Sequence, residues 1–199
     1  MHPASAFHVA DEAPLLAHLA AHPFCTVCAS VDGRPAVAHA PVVLRRLPSG
    51  LALDFHLSRR NALALVIARG FRAVLVSLAA EAYVSPDWYA DKDQVPTWNY
   101  VSVEAEGPVG PIGEDELVAL LDDLSAQEEG RLTPKPPWTR GKMSPGKFER
   151  MLGGIVGART IVQRLEGTTK LSQDKRPTDR AGVIAALSDH PIARRMRQL

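Results

Sequence analysis

The stretch HLSRRN, residues 56–61, carries side chains suited to anion binding at a point where a strand gives way to a helix. The alternating run LALDFHL (51–57) predicts the strand, and SRRNALALVIARG (58–70) predicts the helix. Ser58 would be the N-cap and Gly70 the stop signal. Backbone N–H groups at a helix start, with a hydroxyl and two guanidinium groups beside them, can hold a phosphate. The local sequence alone favours a plainer interpretation, a capped helix with solvated arginines.

A second polar cluster, KLSQ at residues 170–173, follows the last predicted strand. Lysine, serine and glutamine side chains in a loop can bind the carbonyl or phosphate oxygens of a ligand. Taken by itself, the cluster is better explained as a solvated loop that caps the following helix.

All three tyrosines and two of the three tryptophans lie in residues 83–100, among two prolines and three aspartates. Such a segment suits either a hinge packed on the core or the wall of a binding site. We expect Trp88 and Tyr89 to pack as a structural lid or a dimer contact. The strand that follows would send Trp98 and Asn99 to opposite faces, so a regular strand allows only one of them to line a given pocket.

Cysteine and histidine spacing favours no metal or redox centre. Cys25 and Cys28 lie on a predicted strand, where they would point to opposite faces, and we expect both to be small buried residues. A redox pair would sit at a helix start instead. His18 and His22 are one helical turn apart, but they lack an acidic or cysteine partner and are expected to be surface histidines. We predict no metal site.

The remaining periodicity predicts a mainly β chain with added helices (α+β). Strands are expected at 23–30, 34–46, 51–57, 71–79, 97–107 and 155–167, and helices at 11–22, 58–70, 113–130, shortly after 145, and at 177–190. Hairpin-length turns such as Asp32-Gly33 favour an antiparallel β-barrel. Alternation along the strands argues against a parallel sheet, whose strands are usually apolar on both faces.

The charge of the chain is unevenly distributed, although the net charge is only +1. Residues 1–130 carry 8 Lys or Arg against 17 Asp or Glu, and residues 131–199 carry 15 against 5. We favour attraction between the two regions, within a chain or across a dimer. The alternative is that the basic third binds a phosphate or nucleic acid.

The length of 199 residues is sufficient for one large domain with its own core. The sequence has no 18-residue apolar run and no basic start typical of a secretory signal. We therefore expect a cytoplasmic protein without a membrane span.

Four stretches occur in the order and approximate spacing of one family: AHAPV (38–42), HLSRRN (56–61), AYVSPDWYADKDQVPTWNYVSVEAEG (82–107) and EGTTKLSQDKRPTDRAGVIAAL (166–187). The chain resembles the PaiB-type FMN-binding negative transcriptional regulators from residue 1 to about residue 195. The resemblance implies a single domain over 1–199 with the FMN-binding split antiparallel β-barrel fold. It also implies a homodimer with two flavin sites at the subunit interface.

The resemblance further implies which residues bind the flavin. HLSRRN would be the phosphate region, with Ser58, Arg59 and Asn61 as contacts. His39 and His56 would lie on the neighbouring strands. The motifs PTWNY and KLSQ would reach the site from its other side or from the second subunit. Their contact residues would be Trp98, Asn99, Lys170, Ser172 and Gln173.

Two positions depart from the family pattern. The family usually has Ala-Arg-Ala-Asn at residues 58–61, so Arg60 is an additional arginine that either adds phosphate affinity or faces solvent. The family usually has Asn after KLSQ, where this chain has Asp174. An acid directed inward beside a phosphate would weaken FMN binding.

Three functions follow from the resemblance. The first is a dimeric FMN-binding regulator whose flavin is a sensor or a structural ligand. The second is a flavin-dependent oxidoreductase of the split-barrel group that works with NAD(P)H. The third is a haem-binding or haem-degrading protein with His39 or His56 as axial ligand. No residue stands out as a general acid or base, which favours the first over an enzyme.

DNA binding, if the regulator role holds, would fall to the basic C-terminal third. The candidate surface is formed by Arg194, Arg195 and Arg197 and by the stretch 135–150. No helix-turn-helix pattern is evident in the sequence, so the residues themselves favour flavin binding over DNA binding.

Overall fold

The structure is a computed structural model that describes residues 3–199. The strands are β1 (His8–Val9), β2 (Phe24–Val31), β3 (Arg34–Pro41), β4 (Val43–Leu47), β5 (Gly50–Ser58), β6 (Phe71–Val84), β7 (Thr97–Pro111), β8 (Ile155–Ile161) and β9 (Arg164–Lys170). The α-helices are α1 (Glu12–Ala21), α2 (Ala62–Val66), α3 (Glu114–Gly130), α4 (Lys147–Leu152), α5 (Pro177–Leu187) and α6 (Pro191–Met196).

The chain forms two compact units, each assembled from segments that are distant in sequence. Unit 1 contains the described residues up to His18, together with Ser77–Glu104 and Leu165–Leu199. Unit 2 contains Leu19–Val76 and Ala105–Arg164. The long strands β6 and β7 contribute residues to both units, and the single domain over 1–199 remains a prediction.

Unit 2 is organised by antiparallel hairpins. β2 and β3 pair around Asp32 and Gly33, whose positive φ angles of 51° and 76° suit a tight hairpin turn. β2 also pairs with β6, while β8 pairs with β5 and β7, and β5 pairs with β4. β3 lies against β5 although the two strands are not hydrogen-bonded neighbours, as expected where a barrel is split.

Side-chain alternation gives the β3-β2-β6 part of unit 2 one buried face and one accessible face. The buried face carries Cys25, Val27, Ala38, Ala40, Ala73 and Leu75. The opposite face carries Phe24 and Val37, which are 65% and 56% exposed. An accessible face with large apolar side chains is unusual for a strand surface that meets only water.

Helix α3 packs on unit 2 through Leu117, Leu120 and Leu124, which form a cluster with Val43. The N-cap of the helix is Gly113, whose N–H donates to the Glu116 carboxylate at 3.1 Å. Acidic side chains in the first turn also suit the positive end of the helix dipole.

Unit 1 is built on β7, β9 and β1, with β9 paired to both of the others. Its core contains Tyr89 and residues of α5 and α6, among them Val183, Ile192 and Met196. Tyr89 is buried and Trp88 packs partly against this core, so the segment packs on the core, while its role as a lid or a dimer contact stays a prediction.

The fold class is confirmed: the chain is mainly β with added helices, and the strand pairs described for unit 2 are antiparallel. The predicted strand 155–167 is wrong, because the chain leaves the ladder after Ile161 and forms two strands. There Val162 donates to the Leu51 carbonyl oxygen at 2.9 Å and Gln163 donates to the Glu106 carbonyl oxygen at 2.8 Å. None of the helices in residues 3–199 has the length and apolarity that crossing a membrane requires.

Candidate functional site

The predicted phosphate region lies at the end of β5, but its local structure differs from the prediction. β5 continues through Ser58, which pairs with Ile155, so Ser58 is not a helix N-cap. The N-cap is Asn61, whose Oδ1 accepts from the Leu63 N–H at 2.9 Å. Because α2 begins at Ala62 and has only five residues, the predicted start and length of the helix over 58–70 are wrong, while phosphate binding in this region stays a prediction. Gly70, with φ of 71°, does end the helical segment as expected.

The Arg59 side chain makes a hydrogen bond within the protein. Its Nε donates to the Gly153 carbonyl oxygen at 2.9 Å, just beyond α4. Its side chain also lines a small cavity of about 220 Å³ that carries the carboxylates of Glu114 and Glu149. Both Arg59 and Arg60 are exposed, so they differ in the Arg59 hydrogen bond and not in accessibility.

Ser58 is also exposed, and its Oγ accepts from the backbone N–H of Arg60 at 3.3 Å. This turn therefore offers the Ser58 hydroxyl and the Arg60 guanidinium group to an anion. Both residues belong to unit 2, as does β3, which lies beside β5.

His39 lies on the accessible face of β3. Its Nδ1 and the Thr26 hydroxyl are 3.2 Å apart, and its ring stacks on Phe24 with centroids 6.2 Å apart and an interplanar angle of 19°. A histidine placed this way can line a surface site, and it is not part of the buried core.

A cavity of about 570 Å³ in unit 2, which we call the α3–α4 cavity, is bounded by β5, α3 and residues 138–152. It is lined by His56, Leu121, Asp122, Ser125, Trp138, Arg140, Lys142, Met143, Ser144, Lys147, Phe148, Met151, Leu152 and Ile155. Burial lowers the pKa of His56, and its buried Nδ1 has no hydrogen-bond partner. His56 is thus site-lining, on the same face of β5 as Ser58 but against a different set of residues.

Trp98 and Asn99 do point to opposite faces of β7. Trp98 is 53% exposed and meets the Tyr83 ring edge-on at 6.0 Å. Asn99 is fully buried, and its Nδ2 donates to the Ser172 hydroxyl at 2.9 Å. Within unit 1, Asn99 therefore belongs with the KLSQ loop and Trp98 does not.

The KLSQ loop is fixed by its own side chains. Gln173 Oε1 accepts from the Leu171 N–H at 2.7 Å, and its Nε2 donates to the Thr169 carbonyl oxygen at 2.6 Å. Ser172 has a φ of 58°, a conformation that non-glycine residues seldom adopt. Lys170 Nζ donates to the Thr97 hydroxyl at 2.6 Å.

A pocket of about 220 Å³ in unit 1 joins several of these residues. Its lining residues are Phe7, Tyr89, Val95, Thr97, Asn99, Lys170, Ser172, Asp174 and Lys175. Burial raises the pKa of the Tyr89 phenol. Its hydroxyl lies near Ser172 but has no partner in hydrogen-bonding geometry. Asp174 is exposed and also lines this pocket, so its carboxylate would oppose an anion bound there.

The histidine and cysteine predictions have mixed outcomes. His18 is buried and its Nε2 lies 3.0 Å from the Ser77 hydroxyl, so its assignment as a surface histidine is wrong. Cys25 is buried, which raises the pKa of its thiol to about 12, and Cys28 is half-buried. Among residues 3–199, no three His, Cys, Asp or Glu side chains are grouped as metal ligands would be.

A buried ion-pair network was not predicted from the sequence. Asp54 is almost fully buried on β5 and accepts from Arg45 at 3.1 Å and from Arg159 at 2.6 and 2.8 Å. The hydrogen bonds from Arg159 to Asp54 raise the pKa of the Arg159 guanidinium. An aspartate inside the apolar run LALDFHL was the available signal. Arg159 also contacts Glu116, so the basic residues after 131 do attract acidic residues before 130 within unit 2.

These features define a split-barrel chain with a polar, cationic strand end and accessible cavities. The chain belongs to the family described as "Putative FMN-binding domain", whose model matches residues 1–164. That range contains all of unit 2 but not the KLSQ loop.

Two relatives illustrate the similarity in sequence. The chain is 29% identical to "Protease synthase and sporulation protein PAI 2" of Bacillus subtilis over 178 residues, which are 88% of this chain and 84% of that protein. It is 30% identical to an uncharacterized protein of Aspergillus fumigatus over 120 residues, 51% of this chain and 46% of that protein. The PaiB-type resemblance is therefore confirmed.

Two solved structures share the fold. The FAD and Heme binding protein from Mycobacterium smegmatis has a TM-score of 0.59 and 20% identity, covering 90% of this chain and 79% of its own. The flavocytochrome Anf3 from Azotobacter vinelandii has a TM-score of 0.58 and 17% identity, covering 85% of this chain and 72% of its own. At this level of identity the similarity concerns the fold.

Proposed function

We propose that the protein binds FMN and acts as a homodimeric transcriptional regulator of the PaiB type. The observation that carries the proposal is the match of an FMN-binding family over residues 1–164. Flavin-binding proteins among the structures that share the fold support the same ligand class.

The chemistry of the β5 end fits a flavin phosphate. Ser58 supplies a hydroxyl and Arg60 an exposed guanidinium, the groups that phosphate oxygens accept hydrogen bonds from. His39 on the accessible face of β3 would contact the bound flavin. When bound, FMN supplies either redox chemistry or a group that responds to redox conditions. The protein supplies the binding contacts and the electrostatic environment.

The other residues predicted to contact the flavin remain predictions. Three of them lie in unit 2: Arg59 donates a hydrogen bond to Gly153, Asn61 caps α2, and His56 lines the α3–α4 cavity. Trp98, Asn99, Lys170, Ser172 and Gln173 lie in unit 1.

A flavin titration tests the proposal. Purified protein is mixed with FMN, and quenching of flavin fluorescence is followed, with riboflavin as a control that lacks the phosphate. We expect saturable FMN binding at one flavin per chain and weaker binding of riboflavin. A protein that takes up no FMN under these conditions would refute the proposal.

The accessible face of the β3-β2-β6 sheet suits the homodimer. Its large apolar residues, Phe24 and Val37, are exposed in one chain. A second copy of the chain would cover both. His39 lies on this face, which agrees with a flavin site at the subunit interface.

Support for DNA binding comes from the end of the chain. α5 and α6 are joined by residues 188–190, a connection as short as that of a helix-turn-helix. α6 buries Ile192 and Met196 and exposes its arginines, Arg194, Arg195 and the following Arg197. Phosphate contacts through these arginines would make DNA binding strongly salt-dependent.

Electrophoretic mobility of promoter DNA tests the regulator role. We expect retardation that is lost in Arg194→Ala/Arg195→Ala/Arg197→Ala and retained in Arg34→Ala/Arg69→Ala, which removes two exposed charges of unit 2 outside the candidate DNA surface. NAD(P)H-driven turnover of the bound flavin would instead support the oxidoreductase, and a haem spectrum would support the haem-binding alternative. The cytoplasmic location stays a prediction.

A further inference from the structure

The α3–α4 cavity is not explained by the proposed flavin contacts. Ser58, Arg60 and His39 do not line it, and of the predicted site residues only His56 does. Its volume of about 570 Å³ is in the range of small-molecule sites in proteins. The cavity is therefore large enough for a small molecule other than the flavin.

The apolar part of the wall favours an aromatic ligand. The rings of Trp138 and Phe148 and the side chains of Met143 and Met151 contribute to it, with Leu121, Leu152 and Ile155. Flat rings and flexible thioether groups make favourable contacts with an aromatic body. A ligand that is polar over its whole surface would lose hydrating water against this apolar wall and gain no hydrogen bonds in return.

The charges on the wall favour an anion. Three cationic side chains line the cavity, and Asp122 is the single carboxylate among its lining residues. Asp122 is paired with Arg140 at 3.0 Å, and Arg140 also lies over the Phe148 ring at 5.0 Å. Lys142 donates to the Pro137 carbonyl oxygen at 2.9 Å. Lys147 has no acidic partner within ion-pair distance among residues 3–199.

His56 adds a polar group that the protein does not satisfy. Its buried Nδ1 has no hydrogen-bond partner, and leaving a buried polar atom unpaired is unfavourable. A polar atom or water brought in with a ligand can relieve this cost.

We propose that the α3–α4 cavity is a binding site for an aromatic monocarboxylate, separate from the flavin site. The rings of the ligand pack against Trp138 and Phe148, and the carboxylate pairs with Lys147. If the protein is the regulator proposed above, this site would bind its small-molecule effector.

Calorimetric titration with 2-naphthoate tests the proposal, and 2-naphthamide serves as a neutral probe of the same shape. Both are titrated into the full-length protein, once without FMN and once with saturating FMN. We expect one 2-naphthoate per chain in both arms, and an affinity about tenfold weaker for 2-naphthamide, because a charge-assisted contact is lost.

Variants locate the bound probe. Lys147→Gln removes the unpaired cation and should weaken 2-naphthoate binding about fivefold, with little effect on 2-naphthamide. Arg150→Gln is the matched control, because Arg150 lies on the same helix, is exposed and does not line the cavity. It should change neither affinity by more than about twofold.

Four results would overturn the proposal: no binding of 2-naphthoate, equal affinity for the acid and the amide, equal effects of the two substitutions, or competition between 2-naphthoate and FMN. The last result would assign the cavity to the flavin. The arm without FMN keeps the test independent of the proposed flavin binding, since the cavity can bind 2-naphthoate in a protein that takes up no flavin.

Discussion

Arg59 donates its Nε–H to the carbonyl oxygen of Gly153 at 2.9 Å and thereby ties the end of β5 to the segment after α4. The backbone N–H of Arg59 donates to the next carbonyl oxygen, that of Gly154, at 3.0 Å. The family resemblance assigns Arg59 to the flavin phosphate, yet the protein uses part of its guanidinium. Arg60 beside it is also exposed and is the arginine that the family usually lacks.

The two arginines should therefore separate stability from flavin binding. We expect Arg59→Gln to lower the free energy of unfolding by about 1 kcal/mol, because a hydrogen bond from a charged group to Gly153 is lost. Arg60→Gln should leave stability within about 0.5 kcal/mol and weaken FMN binding at least about fivefold. Urea unfolding and FMN titration measure the two effects. A larger loss of FMN affinity in Arg59→Gln than in Arg60→Gln would mean that Arg59 is the phosphate ligand.

Asp54 should be the most sensitive charged residue of unit 2. It is buried between Arg45 and Arg159, so Asp54→Asn leaves two guanidinium groups without the carboxylate that they share. We expect a loss of about 3 kcal/mol in the free energy of unfolding. Asp123→Asn is the control, because Asp123 pairs with the same Arg45 but is half-exposed, and it should cost at most about 1 kcal/mol. Equal losses in the two variants would contradict the role of burial.

Much of the fold could be predicted because its signals are local. Alternation predicted the strand regions but not the breaks at Val42 and at 162–163, the Asp32-Gly33 turn predicted the first hairpin, and the acidic start of α3 predicted that helix. The prediction that Trp98 and Asn99 face opposite sides also held, since it depends only on the two-residue period of a strand.

What could not be predicted depends on contacts between distant residues. Ser58 looks like an N-cap, but its pairing with Ile155 keeps it in β5 and moves the cap to Asn61. His18 has no local mark of burial, because its partner is Ser77, far along the chain. The α3–α4 cavity likewise depends on how the proline-rich segment 131–146 packs against α3 and β5, and no periodicity encodes that arrangement.

The neighbours Trp98 and Asn99 should respond differently to truncation. Asn99→Ala removes a buried amide and leaves the Ser172 hydroxyl without it, so we expect a loss of about 2 kcal/mol. Trp98→Ala removes a half-exposed ring and its edge-on contact with Tyr83, which should cost about 1 kcal/mol or less. Thermal unfolding measures the stabilities, and FMN titration of the same variants reveals which of the two contacts the flavin. A larger loss for Trp98→Ala would contradict the structural role of Asn99.

Asp179 should make unit 1 sensitive to acid. The hydrogen bond from Arg176 holds the pKa of Asp179 below its ordinary value of 3.8, and the N–H of Asp91 adds to the effect. For a carboxylate with a lowered folded pKa, the stabilisation is present above the ordinary value and is lost as the pH falls through the folded value. Wild type should therefore exceed Asp179→Asn in urea midpoint at neutral pH, and this advantage should shrink below about pH 4. An advantage that stays constant down to the acid transition would show that the charge of Asp179 is not responsible.

The accessible face of the β3-β2-β6 sheet should hold the homodimer together. Phe24→Asp/Val37→Asp places two charges on a face that a second chain would bury, where an unpaired charge is strongly unfavourable. We expect light scattering to give the mass of a dimer for wild type and of a monomer for this variant at micromolar concentration. Leu132→Asp is the matched control, because Leu132 is also about half exposed but lies on the proline-rich segment instead, and it should remain dimeric. A monomeric wild type would refute the homodimer, and a dimeric Phe24→Asp/Val37→Asp variant would place the interface elsewhere. The FMN affinity of a folded monomeric variant then tests the shared site, because a flavin site completed at the interface should bind FMN more weakly once the chains separate.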